Sequence, residues 1–525
     1  MKLLPIGIQT FEEIRTKDLL YVDKTKYVLD LVQNGKYYFF ARPRRFGKSL
    51  LLSTLKAFFE GKSELFEGLY LGDNFTDWRE HPVIHLDYSR VEYPQGTAIF
   101  QRSLHFQFQS IAKEYNITLD EGEVANVFNE LVQKLKDKYN QQVVILIDEY
   151  DKPLVDTLLE LEKFTANQTM LRNLYGNIKA LDANLKFVML TGVSRFSKVG
   201  IFSGLNNLED ISVDDRYHSI VGFSQQEVEA YFLEYLTALV EKTGLSLTEL
   251  KEHIKFWYNG FSWDGEHRLY NPFSLFNLFH KKVFANYWFS TGTPTFLINL
   301  VKTQKKIPEN FEQIRTYDLV GSSENFKQFP LVPLLFQTGY LTISKVVYDG
   351  VRPIYQLDYP NDEVRHSFLT YIAADFINKD QYKIEPEVIK LREALIQERI
   401  PDFLNYLRSF FADIPSRLHL PKEAYYHSMV YMLLRLSGVQ LLLEKETDKG
   451  KIDGVLELAD KIYIIEFKFA RSKRIKRVAT LADKAIRQIE EKKYYEPYMV
   501  TSKKIILLGI GFLDKAIAGK VKYLN

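Results

Sequence analysis

A lysine-bearing turn near the start of this chain joins two segments that cannot share one backbone period. Lys36-Tyr37-Tyr38-Phe39-Phe40 has the β-propensity of a buried strand, and Leu50-Leu51-Leu52-Ser53-Thr54-Leu55-Lys56 reads as a helix. Between them runs Arg44-Arg45-Phe46-Gly47-Lys48-Ser49. A strand, a tight loop and a helix N-terminus aim backbone N–H groups and the positive end of the helix dipole at one point. That is the context a phosphate-binding loop requires. In it, Lys48 reaches the β- and γ-phosphates of a nucleoside triphosphate and Ser49 holds Mg²⁺, with Arg45 and Gly47 also at the nucleotide. The general motif places a glycine five residues before Gly47; this chain has Arg42 there.

The answering half is Val143-Val144-Ile145-Leu146-Ile147-Asp148-Glu149. Five apolar residues ending in two carboxylates fit a buried parallel strand whose C-terminal tip faces a ligand. Asp148 is expected to hold the Mg²⁺ through water and Glu149 to polarise the attacking water. Read alone, the segment is equally a buried strand running into an acidic turn; the two halves in chain order favour a nucleotide site. Val83-Ile84-His85-Leu86-Asp87 and Phe187-Val188-Met189-Leu190-Thr191 are further short apolar strands separated by helical stretches, so residues 1–215 predict a mostly parallel sheet covered by helices. Thr191 ends its strand as a polar group beside the γ-phosphate. Arg195, in Gly192-Val193-Ser194-Arg195-Phe196-Ser197, is a candidate charge-stabilising group against the plainer reading of an ion-pair arginine.

Residues 216–375 turn helical. Gln225 to Glu241 is amphipathic, with Ser224 and Glu227 spaced as a capping box. A helical lid is expected to about residue 320. A helix and β-hairpin over 330–344 then suggest a winged-helix-like module.

Residues 376–525 hold a separate signal. Lys451-Ile452-Asp453-Gly454-Val455-Leu456-Glu457-Leu458 and Ile462-Tyr463-Ile464-Ile465-Glu466-Phe467-Lys468-Phe469 read as two strands of a hairpin, with Glu466 and Lys468 on one face and Asp453 across from them. Asp453 and Glu466, with a backbone carbonyl, offer oxygen ligands to Mg²⁺ or Mn²⁺, and Lys468 would orient water and offset charge during phosphodiester hydrolysis. A Glu and a Lys alternating on a half-exposed strand are ordinary. Three features weigh the other way: the otherwise apolar strand, Glu444 and Glu446 just upstream, and the basic run Arg471, Lys473, Arg474, Lys476 and Arg477 just downstream, which reads equally as a phosphate-backbone contact or a solvated loop. The helix that follows, with Lys484, Arg487, Gln488 and Tyr494, is expected to face the same groove.

The totals bound these readings. The length suits about three domains, and 46% hydrophobic with 26% charged residues is a soluble globular composition. A net charge of +2 gives no global pull towards nucleic acid or membrane. With no cysteine, disulfides and cysteine–zinc sites are excluded. Neither a signal-peptide core nor a membrane-length apolar run is present, which predicts a cytoplasmic location and no membrane.

Taken in order, Tyr21-Val22-Asp23-Lys24-Thr25, Arg42 to Ser49, Asp148-Glu149-Tyr150-Asp151, Leu190 to Phe196, Tyr258-Asn259-Gly260-Phe261, Asn271-Pro272-Phe273-Ser274, Tyr425-Tyr426-His427, Gly450-Lys451-Ile452-Asp453 and Glu466-Phe467-Lys468 resemble the prokaryotic AAA-ATPase-like proteins with a C-terminal PD-(D/E)XK nuclease superfamily domain. The resemblance covers nearly the whole chain. The family's usual loop also lacks the first glycine; Lys451 stands where relatives usually carry Arg, which keeps charge but loses bidentate geometry. It implies an α/β architecture: an AAA-like P-loop NTPase core, a helical and winged-helix middle, and an α/β/α restriction-endonuclease-like end. It also implies ATP as the nucleotide, nucleic acid (DNA first) as partner, and room for a homo-oligomer, since such relatives often form rings. Three functions follow in order: a metal-dependent nuclease gated by ATP, an ATP-driven switch or scaffold whose nuclease-like domain binds without cleaving, and an ATPase regulator with no nucleic-acid contact.

Overall fold

The computed structural model describes residues 1–92, 97–158, 160–195, 200–288, 297, 314–319, 330–377, 384–414, 423–439, 441–447, 450–470, 477–513 and 516–524. The chain divides into two compact units, 1–300 with 311–364, and 301–310 with 365–525.

The first unit is built on five parallel strands, β1 (Tyr37–Ala41), β2 (Val83–Asp87), β3 (Val143–Asp148), β4 (Leu185–Gly192) and β5 (Glu209–Asp210), in the order β2-β3-β4-β1-β5. Every residue of β1 and β3 is buried, which is why both read as continuous apolar runs rather than alternating ones. Parallel pairing brings all five carboxyl ends to one edge. Because β4 lies between β1 and β3, the loops after Ala41, Asp148 and Gly192 converge there. The helix Lys48–Phe59 starts directly at the end of the first of these loops.

After the sheet, the helices Gln225–Tyr231, Leu233–Thr243, Leu247–Tyr258 and Pro272–Lys281 close around Phe232, Leu236, Tyr258 and Leu278. Ser224 and Glu227 form the expected capping box. The single helix expected over Gln225 to Glu241 instead breaks at Phe232, whose ring is fully buried against Phe223 and Phe279. Burying that ring outweighs continuing the helix.

A short hairpin, β6 (Asn259–Phe261) and β7 (Leu269–Tyr270), follows. Gly260 sits at φ +128°, and a Cβ there would lie 1.8 Å from the Pro360 carbonyl oxygen, so only glycine fits. Further on, the helix Leu331–Thr338 leads into β9 (Thr342–Asp349) and β10 (Arg352–Asp358). With β8 (Ile314–Thr316) these form an antiparallel sheet of order β8-β10-β9; the helix expected over 330–344 is there, but the hairpin expected with it begins only at Thr342 and runs on to Asp358. Glu363, fully buried, knits this part together by accepting from Ser274 Oγ at 2.7 Å and the Trp288 backbone N–H at 2.7 Å.

The second unit carries a mixed sheet, β11 (Leu441–Thr447), β12 (Gly450–Glu457), β13 (Lys461–Ala470), β14 (Lys504–Leu513) and β15 (Ala516–Leu524), with neighbours in chain order. All pairs are antiparallel except β13 with β14. That one parallel step needs a crossover, supplied by the helix Ala479–Glu491, which buries Leu481, Ala482, Ala485, Ile486 and Ile489. Helices Ile384–Ile396, Ile400–Asp413 and Glu423–Leu436 precede the sheet. Among the described residues, no helix is long and apolar enough to cross a membrane.

Candidate functional site

Two sites emerge, one in each unit. In the first, the residues singled out on β1, β3 and β4 meet at the carboxyl edge of the sheet. Gly47 takes φ +102° immediately before the helix, and the space where its Cβ would stand is open. That geometry leaves backbone N–H groups free to approach a phosphate. The buried Lys48 ammonium donates to the carbonyls of Arg42 and Pro43 at 2.9 and 3.0 Å. Burial lowers its basicity, while Asp148, Glu149 and Asp151 act to restore it. Thr191 Oγ1 donates to Asp148 Oδ1 at 2.7 Å, so the tips of β3 and β4 are joined where a Mg²⁺ ligand was expected. Glu149 adopts φ +51°, and burial raises its carboxyl above the ordinary range.

A cavity of about 430 Å³ opens against this edge, lined by Arg45, Gly47, Lys48, Ser49 and Glu149 on one side and by Tyr21, Val221 and Phe276 on the other. Its size and its mixture of cation, N-terminal helix turn and apolar wall suit a nucleotide. The donor set suits a nucleoside triphosphate with Mg²⁺: Lys48 and the loop would hold phosphates, and Ser49 and Asp148 would hold the metal.

Arg195 and Arg42 stand differently. The Arg195 guanidinium pairs with Asp210 at the end of β5, Nε at 2.9 Å and Nη2 closer still, while the Arg195 backbone N–H donates to Gln337 Oε1 at 2.8 Å. In this state the ion-pair reading describes it. Arg42, in the place of the motif's first glycine, turns its side chain into the core. Nη1 donates to the Ala41 and Ser212 carbonyls, and the guanidinium lies over the Trp263 ring at 3.9 Å. Phe46 packs on Phe261 and Trp263 at 4.8 and 5.3 Å, so the β6–β7 hairpin backs the phosphate-binding loop. Phe196 and Ser197 lie outside the described residues.

Sequence reasoning gave no roles to several residues that shape this site. Asp151 is buried and accepts from the Val193 and Ser194 N–H groups and from Ser194 Oγ, holding the loop after β4. Asp23 accepts from Thr25 N–H and Oγ1 and from the Tyr70 N–H, while Lys24 reaches across to Glu227 of the capping box. The Tyr21 to Thr25 motif is thus a splint along the cavity wall. Only its recurrence in an ordered set of motifs marks it in the sequence.

In the second unit, β12 and β13 are paired up to Gly454 and Ile465, and beyond that point Asp453 Oδ2 accepts the Phe467 N–H at 2.8 Å. Asp453 and Glu466 are brought together at the end of that ladder. Lys468 Nζ donates to Glu466 Oε1 at 2.8 Å, as the period-two spacing requires. Glu466 is 1% exposed, and its Oε2 is buried with no hydrogen-bond donor. Burial first, and the neighbouring Asp453 charge second, push its carboxyl up to about 7. A buried, donor-less carboxylate oxygen beside a second carboxylate is a fit for a hard divalent cation such as Mg²⁺ or Mn²⁺. His427 stands beside it, its Nε2 3.0 Å from the Asp453 carbonyl.

The following helix exposes Lys484 and Arg487. Tyr494, expected on the same groove, is instead 3% exposed and packed with Ile452, Val455 and Ile489 in the core. Its ring is large enough that core packing claims it. Arg471, Lys473, Arg474 and Lys476, and the side chains of Glu444, Glu446 and Tyr425, lie outside the described residues.

Comparisons with known proteins match this geometry in order along the chain. Residues 5–202 fit the family model described as Predicted AAA-ATPase, and residues 421–520 fit that of the PD-(D/E)XK nuclease superfamily. A protein of Azotobacter chroococcum mcd 1, described as "Uncharacterized protein in vnfD 5'region", is 37% identical over 522 residues, covering 97% of this chain and 96% of its own length. No solved structure matches.

Proposed function

Because the chain belongs to the AAA-ATPase-like proteins with a C-terminal PD-(D/E)XK nuclease superfamily domain, we propose that it is an ATP-hydrolysing enzyme whose second unit cleaves nucleic acid, DNA first, in a metal-dependent and nucleotide-gated manner. The observation that carries the nuclease half is the donor-less Glu466 Oε2 beside Asp453 and Lys468. Burying a carboxylate oxygen without a partner is costly, and a bound cation is one way to offset that cost.

Asp453 and Glu466 would hold Mg²⁺ or Mn²⁺, which supplies Lewis-acid activation of water and neutralises the scissile phosphate when bound. Lys468, already on Glu466, opposes the rise that burial gives that carboxyl and would present a donor where charge builds on the phosphate oxygens. At the first site, Glu149 at the cavity wall is placed to orient water towards a γ-phosphate held by Lys48. Burial raises its basicity, the direction that suits a general base. Thr191 fixes Asp148 for a water-bridged metal. Arg195 is kept as the charge-stabilising candidate on the condition that it exchanges Asp210 for phosphate.

The test is cleavage of a panel of single- and double-stranded DNA with Mg²⁺ or Mn²⁺, with and without ATP, for wild type and Lys468→Ala. Cleavage lost in the variant and altered by ATP supports the whole reading. ATP turnover with no cleavage under any condition transfers the proposal to the switch or scaffold.

A further inference from the structure

Away from both sites, the first unit gathers a third set of side chains with ligand chemistry. His218, Asp264 and His267 each offer one ligand atom, and these atoms lie within 4.8 Å of one another. His218 follows the single turn Asp215–Tyr217, whereas Asp264 and His267 belong to the 262–268 loop of the β6–β7 hairpin. Two separate stretches of chain therefore bring nitrogen and oxygen donors together.

Each donor is held in place. Asp264 Oδ1 accepts from the N–H groups of Glu266 and His267 at 2.8 and 2.9 Å and from Ser262 Oγ at 3.0 Å. Asp264 Oδ2 lies 2.6 Å from His267 Nδ1, and the Asp215 carbonyl lies 2.6 Å from His218 Nδ1. A carbonyl only accepts, so His218 donates from Nδ1, and Nε2 is the nitrogen left to face a ligand. The two rings stack at 3.8 Å between centroids and 19°. The loop is also anchored without any ion: the Ser262 N–H donates to Thr342 Oγ1 at 2.6 Å, and Arg268 Nη2 donates to the Ser344 carbonyl at 2.7 Å. An aspartate capping its own turn explains Asp264 and His267, but not His218 stacked in from another segment.

We propose that His218, Asp264 and His267 bind a transition-metal dication of the zinc class, completed by water, which fastens the turn before His218 to the β6–β7 hairpin. Two imidazole nitrogens and one carboxylate oxygen are the ligand set such ions prefer over Mg²⁺. The rings rotate apart about their side-chain bonds to converge on the ion. Trp263, next to Asp264, packs on Arg42 and Phe46, so the ion steadies the hairpin that backs the phosphate-binding loop.

The full chain is stripped with chelator and titrated in excess Mg²⁺ with Zn²⁺ by calorimetry and with Co²⁺ by visible absorption. An Asp453→Ala background keeps the second unit's carboxylates out of the count. The expected result is one equivalent of Zn²⁺ and a Co²⁺ spectrum of low coordination number. His267→Ala and His218→Ala should each weaken Zn²⁺ binding by roughly 100-fold or more while circular dichroism is unchanged. Because His267 is 55% exposed, its variant tests the site without disturbing the core. Absence of a Zn²⁺ equivalent in the Asp453→Ala chain, or undiminished affinity in either histidine variant, overturns the site.

Discussion

Glu363 is buried so completely that its carboxyl is pushed up to about 7, even though Ser274 and Trp288 donate to it. Its folded value lies above its unfolded one, so the folded state binds the extra proton. Stability is therefore highest below the unfolded value, falls as pH rises towards 7, and levels off above it at a cost of about 3 kcal/mol. Glu363→Gln keeps a hydrogen-bonding partner for Ser274 and Trp288 but cannot ionise. Urea midpoints measured from pH 5 to pH 8 should fall for wild type and fall less steeply for the variant, in which Glu466 still contributes; parallel slopes would remove Glu363 from the account. Lys48 gives a second residue-level prediction. Its ammonium rests on loop carbonyls that a phosphate must displace, so Lys48→Ala should abolish ATP turnover with little change in melting temperature. Turnover retained within a few fold would show that phosphate is held elsewhere.

At the level of elements, the β6–β7 hairpin is the support to test. Gly260→Ala forces a Cβ onto the Pro360 carbonyl oxygen at a left-handed position. It should cost about 3 kcal/mol or more, read as a lower denaturant midpoint. An unchanged midpoint would mean that Pro360 gives way freely. This hairpin also marks where sequence reading ran out. Parallel strands β1 to β4 were legible because strands buried on both faces leave long apolar runs, and the capping box at Ser224 was legible because its spacing is local. The two-residue β5 has no pattern to read, and the helix break at Phe232 depends on ring packing with Phe279 from a later helix. Tyr494 was placed on a groove for its aromatic ring, yet the same ring fills the core of the second unit.

For the whole molecule, the two candidate sites were legible because each puts charge where folding alone would not: Lys48 at a helix start, Asp148 at a strand end, Glu466 inside an apolar strand. The contacts that shape the first site were not, since Lys24 with Glu227 and Arg195 with Asp210 are chosen by tertiary structure. If nucleotide gates cleavage, Lys48→Ala should change the ATP response of DNA cleavage while sparing metal binding by the second unit, and Lys468→Ala should leave ATP turnover intact. Measuring both activities on both variants separates a gated enzyme from two independent ones: equal loss of cleavage with and without ATP in Lys48→Ala would argue against gating.

Arg45 and Glu149, non-glycine residues on the wall of one cavity, both hold left-handed backbone. Asparagine or glycine would relieve that strain. A laboratory lineage selected for heat tolerance alone should drift towards such replacements at 45 and 149, becoming hardier while its turnover decays. Arginine and glutamate at these positions are what selection for catalysis rather than for stability would leave behind.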